Sequence, residues 1–477
     1  MAKHLLMEIN IVSVLPQIIL LAAGSLFLFA GKLPLKINRF LPSAALFIMA
    51  ALLFFILLYH DSGLRGFSGI LAWDNTAIIF YALIIAAALL AGIFSCERMR
   101  AEKRRGEYFF FLYLATAGMI FMVSAHDLII VFFSMEILAV ALYVLVGFFR
   151  TGQKEMEATV KYFLLGSFSS AFFLMGLALI YGAAGSTHLD DLYPVTMKSF
   201  DMLPLFYMGV IFVVAGLGFK IAAAPFHMWV PDVYEGAHSA VAAFLSCAPK
   251  IAAFAVIYRL GLLMELYAPE TMAAIIIFMS VASMITGNLA ALKQNTLIRM
   301  LAYSGIAQIG YVLIGVLTQA QGGAQAVTFY LFVYIFMNMG AFGIAVLLSH
   351  EKGRDVAIGD LAGLAKRRPF LAFAMTVFMI SLAGIPPTGG FFAKLYIFKQ
   401  GIETGYLWVV IIALVATVFS LFYYFRVVMT MYMQEEEGEL HEKPRFAFLP
   451  MVLVFCAFVL LTCWLFSPYA INSMFIK

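Results

Sequence analysis

The sequence predicts an all-α polytopic membrane protein of about 14 transmembrane helices, built as two inverted five-helix repeats whose broken helices are numbers 7 and 12. Three observations predict it. Hydrophobic residues make up 64% of the 477 and charged residues only 12%, against about 45–50% and about 25% in an ordinary soluble domain. Apolar runs of roughly 20 residues, the length that crosses a bilayer, follow one another with no soluble insert. Two of these runs are interrupted by proline, five spans apart. A mean hydropathy of +1.00 excludes a soluble globular protein, a disordered chain and a nucleic-acid binder. The four cysteines, Cys96, Cys247, Cys456 and Cys463, are scattered without a C-x-x-C. That argues against a zinc or iron–sulfur site and against a disulfide framework. His350-Glu351 and His441-Glu442 lack the second histidine of a zinc helix, because Arg354 and Arg445 stand in its place.

In order, the expected spans are 10–30, 40–60, 76–95, 108–125, 127–149, 158–183, 204–224, 239–261, 270–291, 297–319, 324–349, 369–400, 405–432 and 446–467. They group as one membrane domain over 1–477: an N-terminal three-helix segment (1–107), a first repeat (108–261), a second repeat (270–432) and a C-terminal helix (446–477). The first span is too long and too neutral at its start for a cleavable signal peptide. Lysine and arginine are uneven between the two sides. One side holds Lys32, Lys36, Arg39, Arg98, Arg100, Lys103, Arg104, Arg105, Arg150, Lys154, Lys293, Arg299, Lys352, Arg354, Lys366, Arg367, Arg368, Lys443 and Arg445. The other holds Lys3, Arg65, Lys198, Arg259, Lys399 and Lys477. The positive-inside rule makes the richer side cytoplasmic and puts both termini outside. The acidic run 435–439 then reads as a solvated inside loop.

The interruptions are Gly218-Phe219-Lys220-Ile221-Ala222-Ala223-Ala224-Pro225-Phe226-His227 and Gly384-Ile385-Pro386-Pro387-Thr388-Gly389-Gly390-Phe391-Phe392-Ala393-Lys394. Proline removes a backbone donor and clashes with the preceding turn, so both helices should break. Broken helices at matching places in two halves point to an internal repeat with a transport site near the breaks. Five helices per unit force the second copy into the opposite orientation.

Ionisable groups within spans cost about 2.5–3.5 kcal/mol each on insertion scales. Four stand out: Glu136 in span 5, Lys220 before the first break, Lys250 in the middle of span 8, and Lys394 after the second break. A structural reading makes Glu136 and Lys220 a buried ion pair, Lys250 a satisfied core lysine, and Lys394 a side chain snorkelling towards Lys399 and Glu403. A transport reading makes the set a proton path. Burial disfavours a charged lysine and a nearby carboxylate restores it, so a changing Glu136–Lys220 separation would load or eject a proton. His227, His238, Tyr303, Ser304, Gln308, Tyr423 and Tyr424 would line a wet path, whereas Arg426 is placed as an interfacial anchor. No carboxylate cluster suited to sodium is evident. Gly216-Leu217-Gly218 lacks the third glycine of a dinucleotide loop, so any redox centre belongs to partners.

The stretch Ala224-Pro225-Phe226-His227-Met228-Trp229-Val230-Pro231-Asp232-Val233-Tyr234-Glu235-Gly236-Ala237 resembles the signature of subunit N of bacterial NADH:quinone oxidoreductase, respiratory complex I. So do Arg299-Met300-Leu301-Ala302-Tyr303-Ser304 and the run from Ser381 to Lys394. The resemblance spans nearly the whole chain, and its P-D-V-Y-E-G-A stretch separates subunit N from the sister antiporter-like subunits L and M. It implies a multi-pass protein of the bacterial inner membrane with fourteen helices, inverted repeats and a hydrated central axis. Glu136, Lys220, Lys250 and Lys394 match the family's relay positions, and His227 matches a polar step after the first break. It also implies that FMN, iron–sulfur clusters, NADH and quinone belong to partner subunits, with subunits K and M as neighbours and no nucleic acid involved. Three positions depart from the family pattern. Gln308 stands where a histidine is expected, Ile298 where a basic residue is usual, and His238-Ser239-Ala240 where a proline-containing stretch is usual. His238 could then serve as a protonatable group at the inner mouth. A stand-alone cation/proton antiporter and a non-conducting structural subunit are the competing readings.

Overall fold

The computed structural model describes residues 11–32, 38, 40–58, 63–149, 152–195, 202–267, 269–319, 322–352, 354–435 and 448–465. Of the charges used above for orientation, Lys3, Lys36, Arg39, Arg150, Lys198, Lys443, Arg445 and Lys477 lie outside these residues. So do most of the acidic run 435–439 and His441-Glu442. The described chain is helical apart from one small hairpin. Twelve of its helices are long and apolar enough to cross a membrane, and two shorter apolar ones, Pro369–Ala383 and Leu449–Thr462, accompany them.

The chain divides into two compact units. The first holds the residues up to Ile221 together with Ala248–Met272. Its elements are α1 (Leu15–Ala30), α2 (Leu41–Leu58), β1 (Leu64–Gly66), β2 (Leu71–Trp73), α3 (Asn75–Ala101), α4 (Arg105–Ser124), α5 (Leu128–Val146), α6 (Gln153–Ala184), α7 (Leu189–Val195) and α8 (Leu203–Ile221). The hairpin is the departure from the all-helical expectation. β1 and β2 pair antiparallel with Arg65 opposite Ala72, across a turn in which Phe67 and Ser68 take positive φ. Nothing in its composition separates it from a loop.

Helix starts follow capping chemistry. Asp74 accepts the Ala77 N–H at 2.7 Å ahead of α3, and Asp127 accepts the Ile129 N–H at 2.7 Å ahead of α5. Helices α6 and α8 pack along much of their length. Small residues allow it: a Cβ at Gly176 would stand 2.5 Å from the Gly209 carbonyl oxygen. Close backbone approach through small residues replaces the hydrophobic drive that is absent between helices in lipid.

The second unit holds Ala222–Cys247 and the chain from Ala273 onward. Its elements are α9 (Val230–Gly236), the start of α10 (Ser239–Tyr267), α11 (Pro269–Leu292), α12 (Leu297–Val316), α13 (Gly323–Tyr334), a π-helical turn Ile335–Met339, α14 (Gly340–Lys352), α15 (Leu364–Arg367), α16 (Pro369–Ala383), α17 (Gly389–Glu403), α18 (Leu407–Met433) and α19 (Phe448–Thr462). Both expected breaks are present. Helix α8 stops at Ile221 and the chain resumes helix at Val230; α16 stops at Ala383 and α17 begins at Gly389. The Ala224-Pro225 and Pro386-Pro387 peptides are cis. Gly384, at φ +81°, ends α16 in the left-handed conformation that glycine takes without strain.

One local motif recurs in both units. The residue before α5 bridges the segment after α6 (Asp127 opposite His188), and the residue before α12 bridges the segment after α14 (Thr296 opposite Ala357). The hydrogen bonds correspond, with Leu128 N–H to Thr187 O and Leu189 N–H to His126 O in one unit. In the other they are Leu297 N–H to Val356 O and Ile358 N–H to Asn295 O.

Candidate functional site

In the first unit, Glu136 lies on α5, half-buried, and accepts a hydrogen bond from the Ser170 hydroxyl on α6. Lys220 occupies the last turn of α8 and is only 5% exposed. Its ammonium lies 5.7 Å from the Phe219 ring centre. It interacts electrostatically with Glu136, yet no contact ion pair joins the two among the described residues. Sequence reading expected this pair. The geometry brings its members into each other's field.

Lys250 is fully buried on α10, directly after Pro249. Proline at 249 cannot donate to the carbonyl four residues back, that of Leu245. The Tyr234 hydroxyl takes that carbonyl at 3.1 Å, so the break in the ladder ahead of the lysine is satisfied from α9. One turn earlier on α10, Asn338 of the π-helical turn donates to the Ser246 hydroxyl at 2.7 Å. Single π-turns concentrate at functional positions.

In the second unit, Lys394 is 4% exposed and does not snorkel. Its ammonium folds back across the break and donates to the Leu382 carbonyl at 3.0 Å and the Ala383 carbonyl at 3.2 Å. These are among the carbonyls that the end of α16 leaves without helical partners. The ammonium also lies 4.6 Å from the Tyr311 ring centre. Gln308 shares the Leu382 carbonyl, donating to it at 2.9 Å and to the Tyr424 hydroxyl at 3.0 Å. Its own carbonyl accepts from Tyr330, and Tyr424 shares a short hydrogen bond with Ser304. Lys394, Gln308, Tyr424 and Ser304 thus form one buried polar chain. A second strand runs alongside, in which Tyr423 donates to Asn288 at 2.9 Å and Asn288 to Tyr311 at 3.4 Å.

The remaining expected residues sit apart from that chain. Tyr303 is half-buried beside it, and the neighbouring Ser304 is the member that joins. His238 precedes α10 and accepts the Ala240 N–H through Nδ1 at 3.4 Å, so it is placed as a helix cap. His227 lies in the turn between α8 and α9, with Nδ1 buried and unmatched by any donor or acceptor among the described residues. Ile298 is buried in the first turn of α12; the position packs and is not a loop charge. Arg426 donates to the carbonyls of Leu292, the last residue of α11, and of Gln294 just beyond it, capping that helix end.

Sequence reading missed two ion-pair clamps. Arg299 donates to Asp232 at 2.9 Å and to Glu235 at 2.7 Å, which explains why the two acids of P-D-V-Y-E-G-A are spaced three apart: both face one arginine on α12. Arg259, assigned above to an outside segment, is buried near the end of α10 and grips Asp74 with two hydrogen bonds, at 2.8 and 3.0 Å. It also donates to the Val123 carbonyl at 2.8 Å. An arginine at the end of an apolar run was the available signal. Among the described residues no group of three or more histidines, cysteines or acids could hold a metal ion.

A family profile described as NADH:quinone oxidoreductase/Mrp antiporter, TM, matches residues 125–420. NADH-quinone oxidoreductase subunit N of Trichlorobacter lovleyi is 39% identical over 439 residues, covering 91% of this chain and 90% of that one. The chain belongs to the antiporter-like subunit N family. The subunit N of Paramagnetospirillum magneticum is 37% identical over 476 residues, covering 98% of this chain and 96% of its own. A chain of respiratory complex I from Thermus thermophilus superposes with a TM-score of 0.79 at 31% identity, covering 94% of this chain and 96% of that one. A chain of the archaeal membrane-bound sulfane sulfur reductase shares the fold, with a TM-score of 0.84 at 24% identity over 98% of both. The subunit N fold therefore accounts for the polytopic helical architecture.

Proposed function

We propose that this chain is the proton-translocating membrane subunit of a complex I-like NADH:quinone oxidoreductase. The observation that carries the reading is the membership in subunit N over nine-tenths of the chain, joined to buried lysines at each break and between them. In this reading Glu136, Lys220, Lys250 and Lys394 relay the proton, with His227, His238, Tyr303 and Gln308 as lesser polar steps. Redox work is done elsewhere: FMN, iron–sulfur clusters, NADH and quinone belong to partner subunits. Subunits K and M flank the chain in the bacterial inner membrane, and both termini face outward. The five-helix units are inverted repeats, which the recurring bridge before α5 and before α12 supports.

The chain's own groups supply the steps. Moving Glu136 away from Lys220 removes the charge that favours the ammonium, and the lysine gives up its proton. The proton passes to Lys250 and then to Lys394, where the Leu382 and Ala383 carbonyls hold it until release. Lys250→Met tests this. The variant is expected to assemble with its partners while losing proton pumping and slowing coupled quinone reduction. Full pumping would end the relay role. Loss of assembly alone would favour a structural subunit. Copurification of the wild-type chain in mild detergent tests the complex: flavin- and cluster-bearing proteins should accompany it, whereas small membrane subunits alone would favour a cation/proton antiporter.

A further inference from the structure

Lys394 is held differently from Lys220. An ammonium carries three N–H donors and no acceptor. The Leu382 and Ala383 carbonyls account for two of them. Among the described residues no carboxylate pairs with this lysine; Glu403, the acid of its own helix, lies 3.7 Å from Lys399 instead. A buried donor left over is costly, and the group that stands against this one is the face of the Tyr311 ring, whose centre is 4.6 Å away. A ring quadrupole attracts a cation within about 6 Å of its centre, and more strongly where water is excluded. The Lys220 ammonium, 5.7 Å from the Phe219 centre, sits near that limit and has the Glu136 charge as well.

The seat of the ammonium is fixed from several sides. A Cβ at position 384 would stand 2.8 Å from Lys394 Cδ and 3.3 Å from its Nζ, so glycine at the end of α16 clears the route by which the side chain folds back. Tyr311, on α12, is fully buried. Its hydroxyl accepts the Asn288 amide at 3.4 Å. Its ring meets Phe398, one turn along α17 from Lys394, edge to face at 6.2 Å and 70°. The hydroxyl is thus engaged with α11 and the ring is clamped from α17, which leaves the face to the ammonium. All of these groups belong to the second unit.

We infer that Tyr311 is a positioning residue of the relay, its ring face holding the Lys394 ammonium at the second break between proton transfers, where Lys220 has a carboxylate. The ring acts through Lys394 and exchanges no proton itself. Its π electrons are therefore essential to the role and its hydroxyl is not. The inference rests on the relay reading and adds to it a residue that the pattern of charges in the spans does not mark.

Ring fluorination drains negative potential from an aromatic face and adds little volume, so it separates attraction from space-filling. The test compares proton translocation by the reconstituted complex carrying Tyr311→Leu, Tyr311→Phe, or phenylalanine with successive ring fluorines at position 311, beside Lys394→Met. Tyr311→Leu should translocate about tenfold more slowly than wild type, Tyr311→Phe should recover most of that loss, and each added fluorine should slow transport by a further step of roughly twofold. Equal rates across the fluorine series would overturn the inference and leave the ring as packing. So would a Tyr311→Phe as slow as Tyr311→Leu, which would pass the role to the hydroxyl and Asn288. Lys394→Met separates this inference from the reading beneath it. Full translocation by that variant ends the relay role of Lys394 and the inference with it, whereas a slow Lys394→Met beside a flat fluorine series ends the inference alone. Should Tyr311→Leu fail to assemble, the nearly isosteric fluorine series decides.

Discussion

The two helix breaks each carry a lysine, and the lysines are used differently. At the second break, Lys394 sits after the gap and reaches back to the Leu382 and Ala383 carbonyls that the break exposes. At the first, Lys220 sits before the gap and answers to Glu136 on another helix. The chain around the first gap finds its partner elsewhere, with the Ala224 N–H donating to the Ser283 hydroxyl at 2.8 Å. One lysine therefore serves the backbone as well as the proposed relay. The other has no structural duty in the described residues beyond its charge. The position of a lysine relative to a break decides whether it can be moved without cost to the fold.

This contrast sets the largest expected effect. Lys220→Met should reduce proton translocation by roughly tenfold or more, as befits loss of a proton-transfer group, and leave thermal stability nearly unchanged. Transport by reconstituted complex and unfolding of the purified chain, read side by side, check both halves. Lys394→Met should impair transport too, and in addition cost about 1–3 kcal/mol of stability by leaving the Ala383 carbonyl without its donor, Gln308 still serving that of Leu382. If the two variants lost equal stability, the distinction drawn here would fail. Gln308→Leu comes next. It removes a shared donor to the Leu382 carbonyl and strands the Tyr330 hydroxyl, while Tyr424 keeps Ser304, for about 1–2 kcal/mol. Its transport defect should be smaller than that of Lys394→Met, because the lysine keeps both carbonyls.

The break positions were legible in the sequence because proline acts locally, through its missing N–H and its ring. The four charges within the spans were legible because each stands alone in an apolar run. The partners were not. Ser170 for Glu136, Tyr330 for Gln308 and Asp74 for Arg259 are separated by 34, 22 and 185 residues, and serines and tyrosines are common enough in such helices to carry no pairing signal. The same limit hid the carbonyls that Arg426 and Lys394 reach, which lie at helix ends that only the fold brings within range. The acids of P-D-V-Y-E-G-A mark the family, but their purpose emerges only with Arg299 between them. Arg299→Ala should loosen α9 from α12 at a cost of about 1 kcal/mol or less, since the pair is partly solvated; hydrogen exchange at residues 230–236 would register it.

A comparably small effect is the one whose sign can be worked out most closely. His126 lies between α4 and α5. Burial first, and then the Arg259 guanidinium, push its pKa down to about 4 against the opposing carboxylates of Asp190 and Asp74. An unfolded histidine titrates near ~6.5. Between those values the unfolded chain binds more protons than the folded one, so stability rises with pH. His126 thus contributes fully above ~6.5 and loses its contribution as pH falls towards about 4. Asp74 acts in a lower window. Burial would raise its carboxyl, but Arg259 outweighs burial and holds it below the usual carboxylate value, so its contribution is lost only on further acidification. Thermal unfolding of the purified chain between these pH values should decline less steeply in His126→Gln than in the wild type, by about 1 kcal/mol once solvent screening is allowed for. A wild type that gained stability on acidification would mean that Asp190, 3.9 Å from His126 Nε2, outweighs burial and Arg259 together. The cluster would then be an ion pair in waiting, and the Arg259–Asp74 clamp would no longer dominate that end of α10.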